Sequence, residues 1–422
     1  MKPSKTNHQQ ERLFEHRLSD ILNPNHSLLL FASLIQWEEL DKEFSGFFTS
    51  EKGAPAKPVR LMTGIFMLQH MSGLSDAETV KIWCENPYWQ AFCGYDFLQW
   101  QFPVHPSSLS RWRKKLGTKG LRRILQETVR CAVDEEIITT AELKQVIVDT
   151  TVMQKNISFP TDAKLYYKSL RALLHIVRKW NIPLRQSYKF VSKKALRISA
   201  QSAHARRMRA ARKAVKALRN YLGRVLREVE SFAKRNKDLK MTLQGILDTI
   251  RKVYIQERGD SNKIYSMHEP HVECIAKGKA HKKYEFGCKV SVVTTHKSNF
   301  VLSCEALHGN PFDGHTLKKA LKSAEKSSGK SVSRAFVDKG YKGHKIKDIE
   351  IYMSGKRGLS KHFKSLLNRR QAIEPVIGHM KNDGKLGCNF LKGKLGDCLN
   401  ALLCGIGHNV RIILRKLVPI PA

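Results

Sequence analysis

Gln145-Val146-Ile147-Val148-Asp149-Thr150-Thr151 is a short apolar run that meets an acid. Its length and its β-branched residues predict a buried strand ending on Asp149. The pattern returns downstream, where Ala335-Phe336-Val337-Asp338 is another short strand meeting an acid and residues 349–353 form a further one. Between them, Tyr284, Phe286, Cys288, Val290 and Val292 alternate with Glu285, Gly287, Lys289 and Ser291, which predicts a strand with one buried face. That strand turns at Lys297-Ser298-Asn299 and returns through Phe300-Val301-Leu302, after which Leu317, Ala320, Leu321 and Ala324 keep helical spacing. Strand, hairpin, helix, strand, strand, helix is a mixed α/β layout.

Upstream, residues 1–140 read as a helical region. Ser75-Asp76-Ala77-Glu78 is a capping box, and His105-Pro106-Ser107-Ser108 opens a basic helix, Leu109 to Leu116, that stops at Gly117. Three or four short helices, the last basic and carrying an exposed Trp112, suit a helix-turn-helix-like DNA-binding unit, in which Arg111, Arg113 and Lys115 are the candidate contacts. An ordinary helical bundle with a solvated basic face is the alternative. Residues 160–262 form an insert after the first strand. Residues 161–258 hold 26 Lys and Arg against 6 Asp and Glu, and Val215, Leu218, Leu222, Val225 and Leu226 mark an apolar stripe on long helices. The remaining segments, 141–159 and 263–422, belong with the strands.

Over the 422 residues, 75 Lys and Arg against 37 Asp and Glu leave a formal charge of +38. Self-repulsion of this size gives no folding stability, so a polyanionic partner is expected. The early apolar run, Leu28 to Ile35, is far short of a bilayer span, and neither a signal peptide nor a membrane partner is expected. Nine cysteines without a CxxC pair point to reduced thiols in the cytoplasm and against structural zinc. The chain has no phosphate-binding loop of the GxxxxGK[ST] type.

Phosphodiester chemistry needs an activated nucleophile and neutralisation of the transferring phosphate, and two divalent metals held by a few carboxylates supply both. Asp149 and Asp338, at strand ends, fit that need. Glu374 is the third candidate, in Arg370-Gln371-Ala372-Ile373-Glu374-Pro375, with Lys381 seven residues further on. On one continuous helix Arg370, Glu374 and Lys381 fall within about 40° of one face, a carboxylate flanked by two cations suited to phosphates. Pro375 leaves two readings open: a kink in that helix, or a helix that starts at Pro375 and loses the alignment.

Taken together, Val148-Asp149-Thr150-Thr151, the stretch from His308 to Leu317, Val337-Asp338-Lys339-Gly340-Tyr341-Lys342-Gly343 and Arg370-x3-Glu374-x6-Lys381 resemble the bacterial insertion-sequence transposases of the DD-E class, in the branch typified by insertion sequence five. Asn400-Ala401-Leu402-Leu403 and Gly407-His408-Asn409 look like that family's closing helix. The resemblance implies an RNase H-like catalytic domain in which Asp149, Asp338 and Glu374 hold two Mg²⁺ or Mn²⁺ ions, while Arg370 and Lys381 contact phosphates. It also implies a protein of the bacterial cytoplasm, associated with the nucleoid. Such a protein binds double-stranded DNA, both transposon ends and target, as a homodimer or higher assembly in the synaptic complex. Lys339 stands where Arg is usual in that family.

Two other functions compete with transposition. A non-catalytic DNA-binding protein or inactivated copy would share the basic bias, and an RNase H-like nuclease would cut without joining. Among the remaining residues, Asp313 reads as a turn former and His315 as the start of the next helix, or else His308, Asp313 and His315 together shape the rim of a site; Tyr341 reads as a packing anchor or a DNA contact. Trp83, Trp89 and Trp100 read as core.

Overall fold

The computed structural model describes residues 16–47, 56–235, 237–276, 283–355, 358 and 360–417, so the expected N-terminal region is described from residue 16 onward. The chain forms two compact units. One combines Met1–Gln154 with Cys288–Ala422, and the other is Lys155–Gly287.

The first unit opens with seven helices: α1 (Leu18–Ile21), α2 (Ser27–Leu34), α3 (Trp37–Ser45), α4 (Val59–Met71), α5 (Asp76–Glu85), α6 (Pro87–Phe92) and α7 (Ser107–Asp134). The capping box at the start of α5 is present in both directions, Ser75 Oγ accepting from Glu78 N–H and Glu78 Oε2 from Ser75 N–H. α7 breaks where its glycine predicts, at Gly117, whose positive φ of 59° interrupts the helical path before it resumes.

Strand β1 (Gln145–Lys155) follows. The second unit then contributes α8 (Asp162–Lys179), α9 (Lys189–His204), α10 (Met208–Lys234), α11 (Lys237–Ile255) and β2 (Glu273–Ala276). Its helices bury Leu170, Leu173, Leu218, Leu222, Val225, Val229, Ile250 and Val253 in a core of their own. The apolar stripe expected on α10 is therefore this core's centre, with Val215 half-buried at its edge. β2 pairs antiparallel with the first residues of β3 (Tyr284–Thr295), Glu273 opposite Gly287 and Ala276 opposite Tyr284. This pairing carries the second unit beyond the expected limits of 160 and 262.

Back in the first unit lie β4 (Val301–Leu307), α12 (Asp313–Ser328), β5 (Arg334–Val337), β6 (Glu350–Met353), α13 (Lys361–Arg369), α14 (Ile373–Asn382), β7 (Cys388–Asn389) and α15 (Gly393–Leu417). The sheet runs β3-β1-β5-β6, with β4 on the outer edge of β3 and β7 against β1; β1 and β5 are parallel, as are β5 and β6, whereas β3 and β4 are antiparallel. The fold is mixed α/β with a mixed sheet, and among the described residues no helix is long and apolar enough to cross a membrane.

Both sheet faces are covered. Val146, Val148, Ala335 and Val337 share one cluster with Phe31, Phe66, Leu121, Leu317 and Ile406, so the N-terminal helices, α12 and α15 pack into the same core. Ile147 and Phe336, on the opposite face, pack with Ile373 of α14. The half-exposed strand expected at 284–292 differs for the same reason: Val290 and Val292 pack with Val376 and Met380, while Ser291 and Val293, facing the other way, are buried too. α15 locks the arrangement through Asn409, whose Oδ1 accepts from Val301 N–H and whose Nδ2 donates to the Val301 carbonyl, both at 2.8 Å, and to Thr128 Oγ1 at 3.1 Å.

Candidate active site

Asp149 and Asp338 owe their placement to the register of two strands. Parallel pairing joins Gln145 to Arg334, Val146 to Ala335 and Ile147 to Phe336. Continued two residues further, the same register brings Asp149 level with Asp338, which directly follows the end of β5. Because side chains alternate across a strand, Asp149 leaves the face that carries Ile147, the face shared by Phe336. Ile373 packs on those two residues, and the next residue in the chain is Glu374. Three separate segments thus meet on one face: apolar residues make the contact, and the acids lie just beyond it.

The first carboxylate is half-buried. Asp149 Oδ1 accepts from Thr150 N–H at 2.7 Å, and its Oδ2 lies 3.9 Å from Arg370 Nη1. Asp338 caps a 3₁₀ turn, Lys339–Tyr341, accepting from Gly340 N–H at 2.8 Å. Asp313 comes to the same place from the start of α12. Its Oδ1 accepts from Thr150 Oγ1 and from Lys289 Nζ, both at 3.1 Å, and Lys289 also donates to the Pro311 carbonyl at 2.7 Å. Gly340 fits between the acids because it has no side chain: a Cβ there would lie 3.0 Å from Asp338 Oδ1 and 3.3 Å from Asp313 Oδ2. Beneath them Tyr341 is fully buried, and its hydroxyl has no hydrogen-bond partner among the described residues. Burial, reinforced by Asp149, Asp313 and Asp338, raises that hydroxyl's pKa far above its usual value.

Glu374 is exposed, in the first turn of α14, and Lys381 is half-buried in its last. Pro375 resolves the two readings of this segment in a third way. α13 gives way to a 3₁₀ turn, Arg370–Ala372, before α14 begins, so the proline sits in a first turn where its missing N–H costs nothing. A 3₁₀ turn winds about 120° per residue, which moves Arg370 about 100° around from Glu374 and off the shared face expected of a continuous helix. Arg370 turns to Asp149 instead. Among the described residues no three His, Cys, Asp or Glu side chains are grouped so as to hold a metal ion, so Asp149, Asp338 and Glu374 are not drawn into one ligand set.

The N-terminal candidates divide. Arg111 and Lys115 are exposed on α7. Arg113 is not available to DNA: it is 2% exposed, donating to Asp76 Oδ1 at 2.7 Å and to Gln69 Oε1 at 3.0 Å. Trp112, expected at the surface, is buried against Phe44 and Phe66. Both follow from α7 turning its basic-looking stretch into the unit's core, where one cation is neutralised by one acid. Trp83 and Trp89 are core as expected, but Trp100 is 82% exposed.

The residues that the sequence did not single out as chemical are Lys289 and Thr150; Asp313, read as a turn former or as part of a site's rim, joins them. Lys289 alternates with Val290 like a solvent-facing residue, so no local signal marked it.

A family pattern described as "Transposase domain (DUF772)" matches residues 16–115, the region from α1 into α7, and so lies outside the acids. The chain is similar to the "Uncharacterized protein ORF8 in nfe locus" of Rhizobium meliloti, with 41% identity over 206 residues, which is 49% of this chain and 99% of that protein. No solved structure matches.

Proposed function

Because this chain belongs to the family of the Rhizobium meliloti ORF8 protein and carries a transposase domain, it is a transposase-like protein, and we propose that it is a DD-E transposase of the branch typified by insertion sequence five. In this reading it binds the terminal inverted repeats of its own element in the bacterial cytoplasm, cleaves their ends and joins them to target DNA as a dimer or larger assembly. The observation that supports this reading is the parallel register of β1 and β5, which runs toward Asp149 and Asp338, with Ile373, the neighbour of Glu374, packed on Ile147 and Phe336. A strand order of β3-β1-β5-β6 with β4 on the outer edge supports reading the sheet as RNase H-like.

The site's chemistry suits hard divalent cations. Carboxylate oxygens are the preferred ligands of Mg²⁺ and Mn²⁺, and Gly340 leaves beside Asp338 and Asp313 a space that a Cβ would fill. Asp149 and Asp338 would hold the ions, and Glu374, which is not grouped with them in the free protein, would complete the set by a movement of α14 when DNA is bound. Once bound, two such ions lower the pKa of a nucleophilic water or hydroxyl and neutralise charge on the phosphate.

The protein's own residues do the rest. Arg370 compensates Asp149 in the free protein and, with DNA bound, transfers its charge to a backbone phosphate, with Lys381 as a second phosphate contact. Lys289 pins Asp313, and Asp313 in turn fixes Thr150 next to Asp149. In the first step water adds to the phosphorus at the element's end and the 3′ oxygen leaves as a hydroxyl. In the second, that hydroxyl attacks a target phosphodiester and one phosphate ester replaces another.

The test is incubation of purified protein with labelled end DNA and Mg²⁺, resolving nicked from joined products. Wild type should give both. Glu374→Ala should give neither while binding end DNA nearly as well. Retained cleavage in that variant removes the assignment, and cleavage without joining in wild type turns it into a nuclease.

A further inference from the structure

The second unit contains a stretch of one charge sign. From Ala163 to Arg227, 65 residues include 19 Lys and Arg and no Asp or Glu. The stretch covers α8 from its second residue, all of α9 and most of α10. Seventeen of the nineteen cations are exposed; the other two, Lys164 and Lys168, are half-buried and donate to Phe159 O and Ser158 Oγ. Among the described residues none of the seventeen forms an ion pair. Of the unit's acids, Glu230 and Asp248 pair with Arg251 and Glu269 with Lys155, while Asp162 lines a cavity with Lys164, Arg212, Lys216 and Arg219 without pairing with them.

We infer that the exposed cations of α8, α9 and α10, with Asp162 as a single acid among them, form a DNA-backbone-binding surface that does not read sequence. An ordinary solvated face mixes signs, because like charges packed together oppose folding unless a counter-anion relieves them. The distribution points to an extended anion rather than a small one. On α10 alone Arg209, Arg212, Lys213, Lys216, Arg219, Arg224 and Arg227 are exposed, spread over helix that rises about 1.5 Å per residue. A membrane surface fits poorly, since the apolar side of α10 is spent in the core, with Leu218, Leu222, Val225 and Val229 fully buried. For a transposase-like protein the extended polyanion is duplex DNA. The surface goes beyond the proposed chemistry and stands whether or not the acids of the first unit cut.

The experiment measures binding of the full chain to a duplex of scrambled sequence, without divalent metal, as salt is raised from about 50 to about 200 mM. Wild-type affinity should fall linearly on logarithmic axes, with a slope near 0.9 for each phosphate neutralised. Changing Arg209, Arg212, Lys213 and Lys216 together to Gln should lower that slope by up to about 3.6. The same change in net charge on α12, at Lys318, Lys319, Lys322 and Lys326, should leave it nearly unchanged. If the α10 set impairs folding, the α9 set, Lys189, Lys193, Lys194 and Arg197 to Gln, carries the same expectation. Equal effects in the α12 and insert variants, or none in either, overturn the inference. So does binding of duplex RNA or anionic vesicles that exceeds DNA binding and is lost in the same variants. Because no metal is present, failure here is distinguishable from failure of end cleavage.

Discussion

Asp149 on β1 and Asp338 directly after β5 are 189 residues apart in the chain, and the parallel register of the two strands, continued two residues past Ile147 and Phe336, brings them level. Residues two apart on one strand also share a face, but they lie further apart than neighbours on paired strands; parallel pairing brings two acids from distant parts of the chain to the same level of the sheet.

Gly340 tests how closely those acids must be approached. Gly340→Ala places a methyl group 3.0 Å from Asp338 Oδ1 and 3.3 Å from Asp313 Oδ2. In the proposed reaction its cleavage rate should drop by about tenfold or more, because a misplacement of about 1 Å costs this much or more. Its melting temperature should move little. Single-turnover cleavage beside calorimetry checks both.

Lys289→Met removes the cation that holds Asp313 and the donor to the Pro311 carbonyl. Leaving a half-buried carboxylate without its cation should cost about 1–3 kcal/mol in urea unfolding. Lys289→Met with Asp313→Asn should recover part of that loss. A double variant as unstable as the sum of the singles would show the two residues to be uncoupled.

Arg113 and Asp76 form the buried pair of the helical region, with side-chain exposures of 3% and 34%. Asp76→Ala should destabilise by roughly 3 kcal/mol, because it strands a buried guanidinium, whereas Arg113→Met with Asp76→Leu should cost less. Burial raises the Asp76 pKa, but the hydrogen bond and charge of Arg113 outweigh it, and the net shift is downward. The pair's contribution is therefore present above the ordinary carboxyl value of 3.8 and is lost as pH falls below it.

His408 sets a second pH dependence, in a different range. Burial, with Arg411 nearby, pushes its pKa from 6.5 down to about 4. The unfolded chain takes up the proton first, so stability is whole above pH 6.5, declines as pH falls toward 4, and loses nothing more from this residue below that. The total is on the order of 3 kcal/mol. His408→Gln should flatten the unfolding free energy across this window, and an unchanged profile would exclude the residue as its source.

Local patterns carried much of this structure. The apolar runs before Asp149 and Asp338 marked two strand ends, the Ser75–Glu78 box marked a helix start, and Gly117 marked a break, because each depends on neighbours in the chain. What the sequence hid was non-local. Lys289 reads as a solvent-facing alternation residue until Asp313, 24 positions on, is folded against it. Arg113 reads as a groove-reading cation until Asp76, 37 positions back, is seen to neutralise it. Trp112 reads as exposed for the same reason, since only the packing of α7 decides which side of a basic helix faces inward. Pro375 was legible as a disturbance but not as a remedy, because the 3₁₀ turn before it depends on where α13 ends.

The separation of β1 from β3 by residues 156–283 bears on how the chain acquires its shape. On the ribosome β1 emerges with its sheet partners still unmade, and 128 residues intervene before Tyr284. Closing so long a loop is slow when it is flexible, but length adds only about 0.6 kcal/mol per doubling, and contacts between sequential helices form fast. α8 to α11 contact one another in the order they are synthesised. They can collapse early, turning a long tether into a compact body before the sheet assembles. Slow refolding in this protein should therefore be a property of the sheet and of α15, the last helix to be made, while the basic unit has long since reached its native form.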